Sequence, residues 1–148
     1  LKNNFMINIL ENISLKNFTT FGVEAKARYF AAVSEYEDLK SLILNEQPAN
    51  QKHLIIGGGS NLLFTRDFDG WILHNKIKGL EITEETDEYV LVNAGSGENW
   101  SDFVGYTVAQ DWGGLENLSL IPGTVGAAPV QNIGAYGAEQ KDTFLKLE

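Results

Sequence analysis

The chain contains no cysteine, which excludes disulfides, thiolate nucleophiles and thiolate metal sites. It has two histidines, His53 and His74, set 21 positions apart, so a histidine-based metal centre lacks a ligand set and no metal site is assigned. Basic residues are scarce: 11 Lys and Arg stand against 20 Asp and Glu, for a net charge of −9. That balance argues against nucleic acid or an anionic membrane as a partner. No apolar run approaches the roughly 18 residues that cross a bilayer. The first residues lack the basic, apolar and small-residue regions of a signal peptide, so a soluble, cytoplasmic protein is the expectation. The lone methionine is Met6, while the chain opens at Leu1 and closes at Lys146-Leu147-Glu148 without a cap or turn. Both ends read as cuts within a longer protein.

One scarcity is local. Residues 79–140 hold ten acids and no lysine or arginine. A phosphorylated ligand bound there meets only neutral donors, namely backbone amides, Ser, Thr, Asn and Gln.

What the chain does have is a globular composition, 43% hydrophobic and 21% charged. Its 148 residues suffice for one ordinary domain or two small lobes. Residues 113–137 (GGLENLSLIPGTVGAAPVQNIGAYG) carry six glycines, two prolines and a single charge, Glu116. That is too little charge for a surface loop and too much glycine for ordinary core. Glycine-rich main chain laid against a large, partly apolar ligand fits it.

Periodicity places the elements. Ala27 to Val33 and His53 to Ile56 read as buried strands, and Trp71 to His74 as a third. Ser34, with Glu37 three residues on, has capping-box spacing. Tyr36, Leu39, Leu42 and Ile43 then share a helical face, and that helix should end near Asn45, before Pro48. Leu80 to Thr83 and Tyr89 to Ala94 read as a hairpin with an acidic tip of Glu84, Glu85, Asp87 and Glu88. Asn99 is placed to cap a helix whose stripe is Trp100, Phe103, Val104 and Val108. The fold class is α+β: a small α/β lobe over residues 1–76, then a second α+β lobe beginning at 77–148.

Two loops carry the chemistry. Gly57-Gly58-Gly59-Ser60-Asn61 comes directly after a buried strand, and successive N–H groups in such a loop form an anion site. Neither a P-loop lysine nor a G-x-G-x-x-G helix opening is present. Pro122-Gly123-Thr124-Val125-Gly126-Ala127-Ala128 is the second, and its small side chains would let a flat ring lie against main chain. Gln131 and Asn132 come after Pro129 and should be extended. Two such loops could clamp one dinucleotide, by its phosphates and by its ring. Tight turns and close-packed crossovers would produce the same glycines without a ligand. His74 reads as structural, His53 as a strand-edge residue, and Trp71, Trp100 and Trp112 as core or interface. Thr19-Thr20-Phe21-Gly22 reads as a turn. No Ser-His-Asp set or carboxylate pair is evident.

TTFGV (Thr19 to Val23), GGGSNLLF (Gly57 to Phe64), IKGLEI (Ile77 to Ile82), GSGENW (Gly95 to Trp100) and GLENLSLIPGTVGAAPVQNIGAYGAE (Gly114 to Glu139) occur in this order. Together they closely resemble the UDP-N-acetylenolpyruvoylglucosamine reductase family, type I branch, from about Ser14 onward. The resemblance implies an FAD-binding fold of the vanillyl-alcohol-oxidase type. Gly57, Gly58, Gly59, Ser60 and Asn61 then match the pyrophosphate loop. Gly123, Thr124, Gly126, Ala127 and Ala128 match a second FAD-contacting segment. Asn132, Gly134 and Ala135 match residues near the flavin, and Gln131 and Tyr136 match residues facing substrate. The implied chemistry is reduction of UDP-N-acetylglucosamine enolpyruvate, with NADPH as reductant, in peptidoglycan synthesis. The family's catalytic arginine, proton-donating serine and late glutamate, and its substrate domain, lie beyond the position matching Glu148. No catalytic residue is therefore assigned, and these 148 residues alone are expected to be inactive and prone to self-association, the parent a monomer. Other flavin oxidoreductases of this fold, or a non-enzymatic dinucleotide or sugar-nucleotide binding module, are the alternatives.

Overall fold

The computed structural model describes residues 7–46 and 51–147; Pro48 and Glu148, named above, lie outside them. The chain divides into two compact units, Leu1–Ile77 and Lys78–Glu148.

The first unit is a four-stranded sheet of β1 (Ile9–Ser14), β2 (Lys26–Val33), β3 (Lys52–Ile56) and β4 (Phe68–Asn75), in the order β1-β2-β4-β3. β1 runs antiparallel to β2, while β2, β4 and β3 are mutually parallel. Alternation along β4 explains the layering. Ile72 joins Leu15, Ala27, Phe30 and Ile56 in one core cluster, whereas Trp71 and Leu73 join Ala31, Val33 and Leu42 in another. Successive side chains of a strand point to opposite faces, so this sheet is covered on both. α1 (Tyr36–Ser41) and the π-turn Leu42–Glu46 form the cover over the second cluster, through Leu39 and the fully buried Leu42.

Three details depart from the sequence expectations. Glu35, not Ser34, is the N-cap of α1, and no side chain caps it. The helix starts one residue late for the box to close. Tyr36 and Ile43 are 65% and 50% exposed, so the buried face is Leu39 and Leu42 alone. β1 was not expected at all. Asn12 sits at φ +54, yet the antiparallel register runs on unchanged from Glu11↔Tyr29 to Ile13↔Ala27. Leu10, Glu11 and Asn12 are all exposed, so β1 lacks the two-residue alternation by which a strand is recognised.

The second unit contains the antiparallel ribbon β5 (Leu80–Glu85) and β6 (Val90–Ala94), helix α2 (Trp100–Ala109), helix α3 (Ala128–Gln131) and a small hairpin of β7 (Gly134–Ala135) and β8 (Ala138–Glu139). The Asn99 side chain accepts from the Asp102 N–H at 3.0 Å, as expected, and such caps contribute about 1 kcal/mol. Trp100, Val104, Leu118, Ala128 and Ile133 form the core, and the Trp100 indole N–H donates to the Leu118 carbonyl at 2.8 Å. Val108 is 48% exposed, however, and Thr107 takes its place inside. The Thr107 hydroxyl is satisfied locally by the Val104 carbonyl at 2.9 Å, which makes a buried threonine tolerable on this face. Glu84 and Glu85 belong to β5, so the acidic tip is shorter than expected. No helix among the described residues is long and apolar enough to cross a membrane.

Candidate functional site

The first glycine loop lies in the first unit, directly after Ile56, the last residue of β3. Ile56 pairs with His74 near the end of β4, so the loop leaves the carboxyl end of parallel strands, where ligands of open α/β sheets collect. None of the N–H groups of Gly58, Gly59, Ser60 and Asn61 has an acceptor among the described residues. Gly59 has φ +64. Consecutive free amides around such a residue make a concave anion cradle. The loop's back is fixed: the Gly59 carbonyl accepts from Thr20 N–H at 3.2 Å. A Cβ on Gly59 would lie 1.9 Å from the Phe18 carbonyl oxygen. The glycine there is thus demanded by the backbone at Phe18 and Thr19, and the TTFG segment gains a role as the loop's support.

His74 stands beside this support. Its ring is edge-on to Phe18 at 5.5 Å and tilted against Phe30 at 5.9 Å. Burial, and then the Lys76 charge, lower its pKa, so it is a neutral core histidine near pH 7. His53 is exposed on the edge strand β3.

The second loop behaves differently. Gly126 N–H donates to the Ser96 carbonyl and Val125 N–H to the Glu98 carbonyl, both at 2.9 Å. Ala127 and Ala128 N–H both donate to the Thr124 carbonyl, at 3.0 and 3.1 Å. Trp100 N–H returns to the Gly123 carbonyl at 3.1 Å. Four successive amides are therefore spent inside the protein. A Cβ on Gly126 would sit 2.7 Å from Ser96 Cβ and 3.0 Å from its carbonyl oxygen. This glycine, too, is required by protein packing.

Gln131 and Asn132 are not extended. Pro129 sits in the first turn of α3, where its fixed φ suits a helix start, and Asn132 ends the helix at φ +48. Both side chains are exposed. Tyr136 and Gly137 link β7 to β8 with φ +52 and +83, the two positive φ values of a type I′ turn. The Tyr136 residue is 91% exposed. An open groove of about 590 Å³ runs past Asn132, Gly134, Ala135, Gly137 and Lys141. Lys141 is ion-paired with Glu139.

A further knot escaped the sequence reading. Glu98 Oε1 accepts from Gly79 N–H at 2.8 Å, and its Oε2 accepts from Lys78 Nζ at 3.1 Å. Hydrogen bonding from Gly79, and the Lys78 ammonium beside it, hold this carboxyl below its usual pKa. The signal was the pair of motifs IKGLEI and GSGENW, which contain the partners.

Consecutive amides without acceptors among the described residues, at the carboxyl end of parallel strands, are the features of an α/β unit that binds phosphate groups. The chain belongs to the FAD binding domain family, which matches residues 27–148. It is 53% identical over 137 residues to UDP-N-acetylenolpyruvoylglucosamine reductase of Flavobacterium johnsoniae, covering 93% of this chain and 40% of that protein. It is 50% identical over 137 residues to the protein of the same name from Pseudomonas putida, again covering 93% and 40%. The chain thus spans about 40% of the length of these curated relatives. Its fold matches the crystal structure of UDP-N-acetylenolpyruvylglucosamine reductase from Thermus caldophilus, with a TM-score of 0.65 at 23% identity, over 90% of this chain and 44% of that one. FAD is the cofactor of the family, and the free amides of Gly58 to Asn61 fit its phosphates without a basic side chain.

Proposed function

We propose that the chain is the FAD-binding portion of a reductase that converts UDP-N-acetylglucosamine enolpyruvate to UDP-N-acetylmuramate, with NADPH as the reductant. The setting is peptidoglycan precursor synthesis, and hence cell shape and division, in the cytoplasm, and the full-length protein is a monomer. The single observation that carries the reading is the set of four amides after β3 without acceptors among the described residues, in a chain about half identical to proteins of that name.

Within it, Gly57 to Asn61 hold the pyrophosphate, with Ser60 and Asn61 adding side-chain donors. Gly123, Thr124, Gly126, Ala127 and Ala128 form a flat wall for the ring system. Asn132, Gly134 and Ala135 line the cofactor side, and Gln131 and Tyr136 present their exposed side chains to substrate. Bound FAD supplies hydride transfer to the enolpyruvyl double bond; the protein orients and protonates. No residue of this chain is assigned the proton, which the family's downstream serine would deliver.

The test uses the full-length protein. Denaturation should release free flavin, and NADPH oxidation should require the enolpyruvyl substrate. Colourless protein after FAD addition sinks the cofactor reading. Oxidation that ignores the substrate points to another flavin oxidoreductase.

A further inference from the structure

We propose that Glu98 is the positioning residue of the second cofactor loop, acting through main chain rather than on the ligand. This rests on the reading of Gly123 to Ala128 as an FAD wall.

The geometry forms a closed ring. Gly95 N–H donates to the Gly79 carbonyl at 2.7 Å, and Glu98 N–H donates to the Gly95 carbonyl at 2.9 Å. The Glu98 carboxylate then returns to the Gly79 N–H at 2.8 Å. Both polar groups of the Gly79 main chain are thus held by the two ends of one turn, Gly95 to Glu98. The carboxylate is the side chain that closes the ring. Its second oxygen is occupied by Lys78, the last basic residue before Lys141. The Glu98 side chain is 21% exposed, against 55% for that of Lys78.

The ring matters because of what hangs from it. The carbonyl of Glu98 itself receives Val125 N–H, and the Ser96 carbonyl, inside the same turn, receives Gly126 N–H. Asn99 and Thr124 bridge next to them. The wall from Gly123 to Ala128 is therefore registered on residues 96–100, and these are held to Gly79 by the Glu98 carboxylate together with the Gly95 N–H. Moving the Glu98 backbone by an ångström moves Val125 and Gly126 with it. Removing the side chain leaves the Gly95 N–H to Gly79 carbonyl bond without its partner at the other end of the turn.

Hydrogen-bond reach, not charge, should then decide the effect. In the full-length protein, Glu98→Gln keeps the chain length and the acceptor for Gly79. Glu98→Asp keeps the charge but is one methylene short. FAD dissociation constants, from flavin fluorescence quenching, are expected to rise about tenfold in Glu98→Ala and Glu98→Asp, and less than threefold in Glu98→Gln. Apo melting curves confirm that each variant is folded at the titration temperature. If Glu98→Ala does not fold, the Asp and Gln pair decides alone. Affinity that tracks charge, with Asp like wild type and Gln like Ala, overturns the proposal. So does normal affinity in all variants while Ala127→Leu, in the wall itself, loses FAD. If Ala127→Leu also binds normally, the wall reading fails, and the positioning role fails with it.

Discussion

The two glycine loops look alike in sequence and differ in how they use their amides. The four N–H groups of Gly58 to Asn61 have no acceptor among the described residues, while Val125 to Ala128 spends all four on Ser96, Glu98 and Thr124. On the proposed reading, the first meets the cofactor's phosphates and the second is a stiff surface for its ring system. Glycine count alone does not distinguish them. In both loops a glycine is required because protein backbone passes close behind it, Phe18 behind Gly59 and Ser96 behind Gly126. What separates the loops is whether their amides find acceptors inside the protein.

The largest effects test that shared requirement. Gly59→Val places a Cβ 1.9 Å from a carbonyl oxygen at φ +64, and should destabilise the first unit by about 3–5 kcal/mol. Gly126→Val meets Ser96 at 2.7 Å and should cost about 1–3 kcal/mol. Both are read by urea unfolding of the full-length protein. A Gly126→Val protein of native stability would mean that Ser96 gives way easily. Gly58→Val is the contrast, because Gly58 is exposed with φ outside the left-handed region. Its stability should stay within about 0.5 kcal/mol of wild type. FAD affinity should fall about tenfold or more, since a branched side chain obstructs the free amides. Unchanged FAD affinity there would remove the phosphate assignment from this loop.

A smaller effect concerns the pH response of the second loop alone. Glu98 is held below its usual pKa, chiefly by the Gly79 N–H and also by Lys78. Its folded value lies below its unfolded value, so its stabilisation is complete above the ordinary carboxylate range. It is lost as pH falls through the lowered folded value. The melting temperature of wild type should exceed that of Glu98→Gln near neutrality, and the gap should close as pH falls below the ordinary carboxylate range. A gap independent of pH would show that the charge of Glu98 adds nothing.

Local patterns made much of this fold legible. β2, β3, β4, β6 and α2 appear where apolar runs, turn residues and the Asn99 cap place them. The failures share a cause. β1 was hidden because Leu10, Glu11 and Asn12 are all exposed and give it no alternation, and only its pairing with β2 reveals the strand. α3 escapes a reading in which Pro129 extends Gln131 and Asn132, because proline restrains the residue before it and suits a helix's first turn. At the candidate site, glycine content marks both loops as segments. It says nothing of which amides are spent, because the acceptors lie elsewhere: Ser96 and Glu98 are 27 to 30 residues from Gly126 and Val125. The ring through Gly79, Gly95 and Glu98 is likewise a tertiary fact.

The smallest effect lies at Tyr136, where the second unit carries strain that the first loop's Gly59 avoids. A tyrosine at φ +52 opens a type I′ turn that asparagine or glycine would occupy more easily, and it exposes 91% of its surface. Such a residue costs about 1 kcal/mol relative to asparagine, and strain of this kind collects at functional positions. Tyr136→Asn should therefore raise the stability of the full-length protein by about 1 kcal/mol. If the ring faces substrate, the same change should raise KM for the enolpyruvyl substrate while FAD affinity stays within about twofold. Both signs matter. A more stable variant with unchanged KM leaves Tyr136 a strained turn without a role in binding. A less stable one shows that the exposed ring is buried by contacts elsewhere in the full-length protein, and the αL argument then yields to packing.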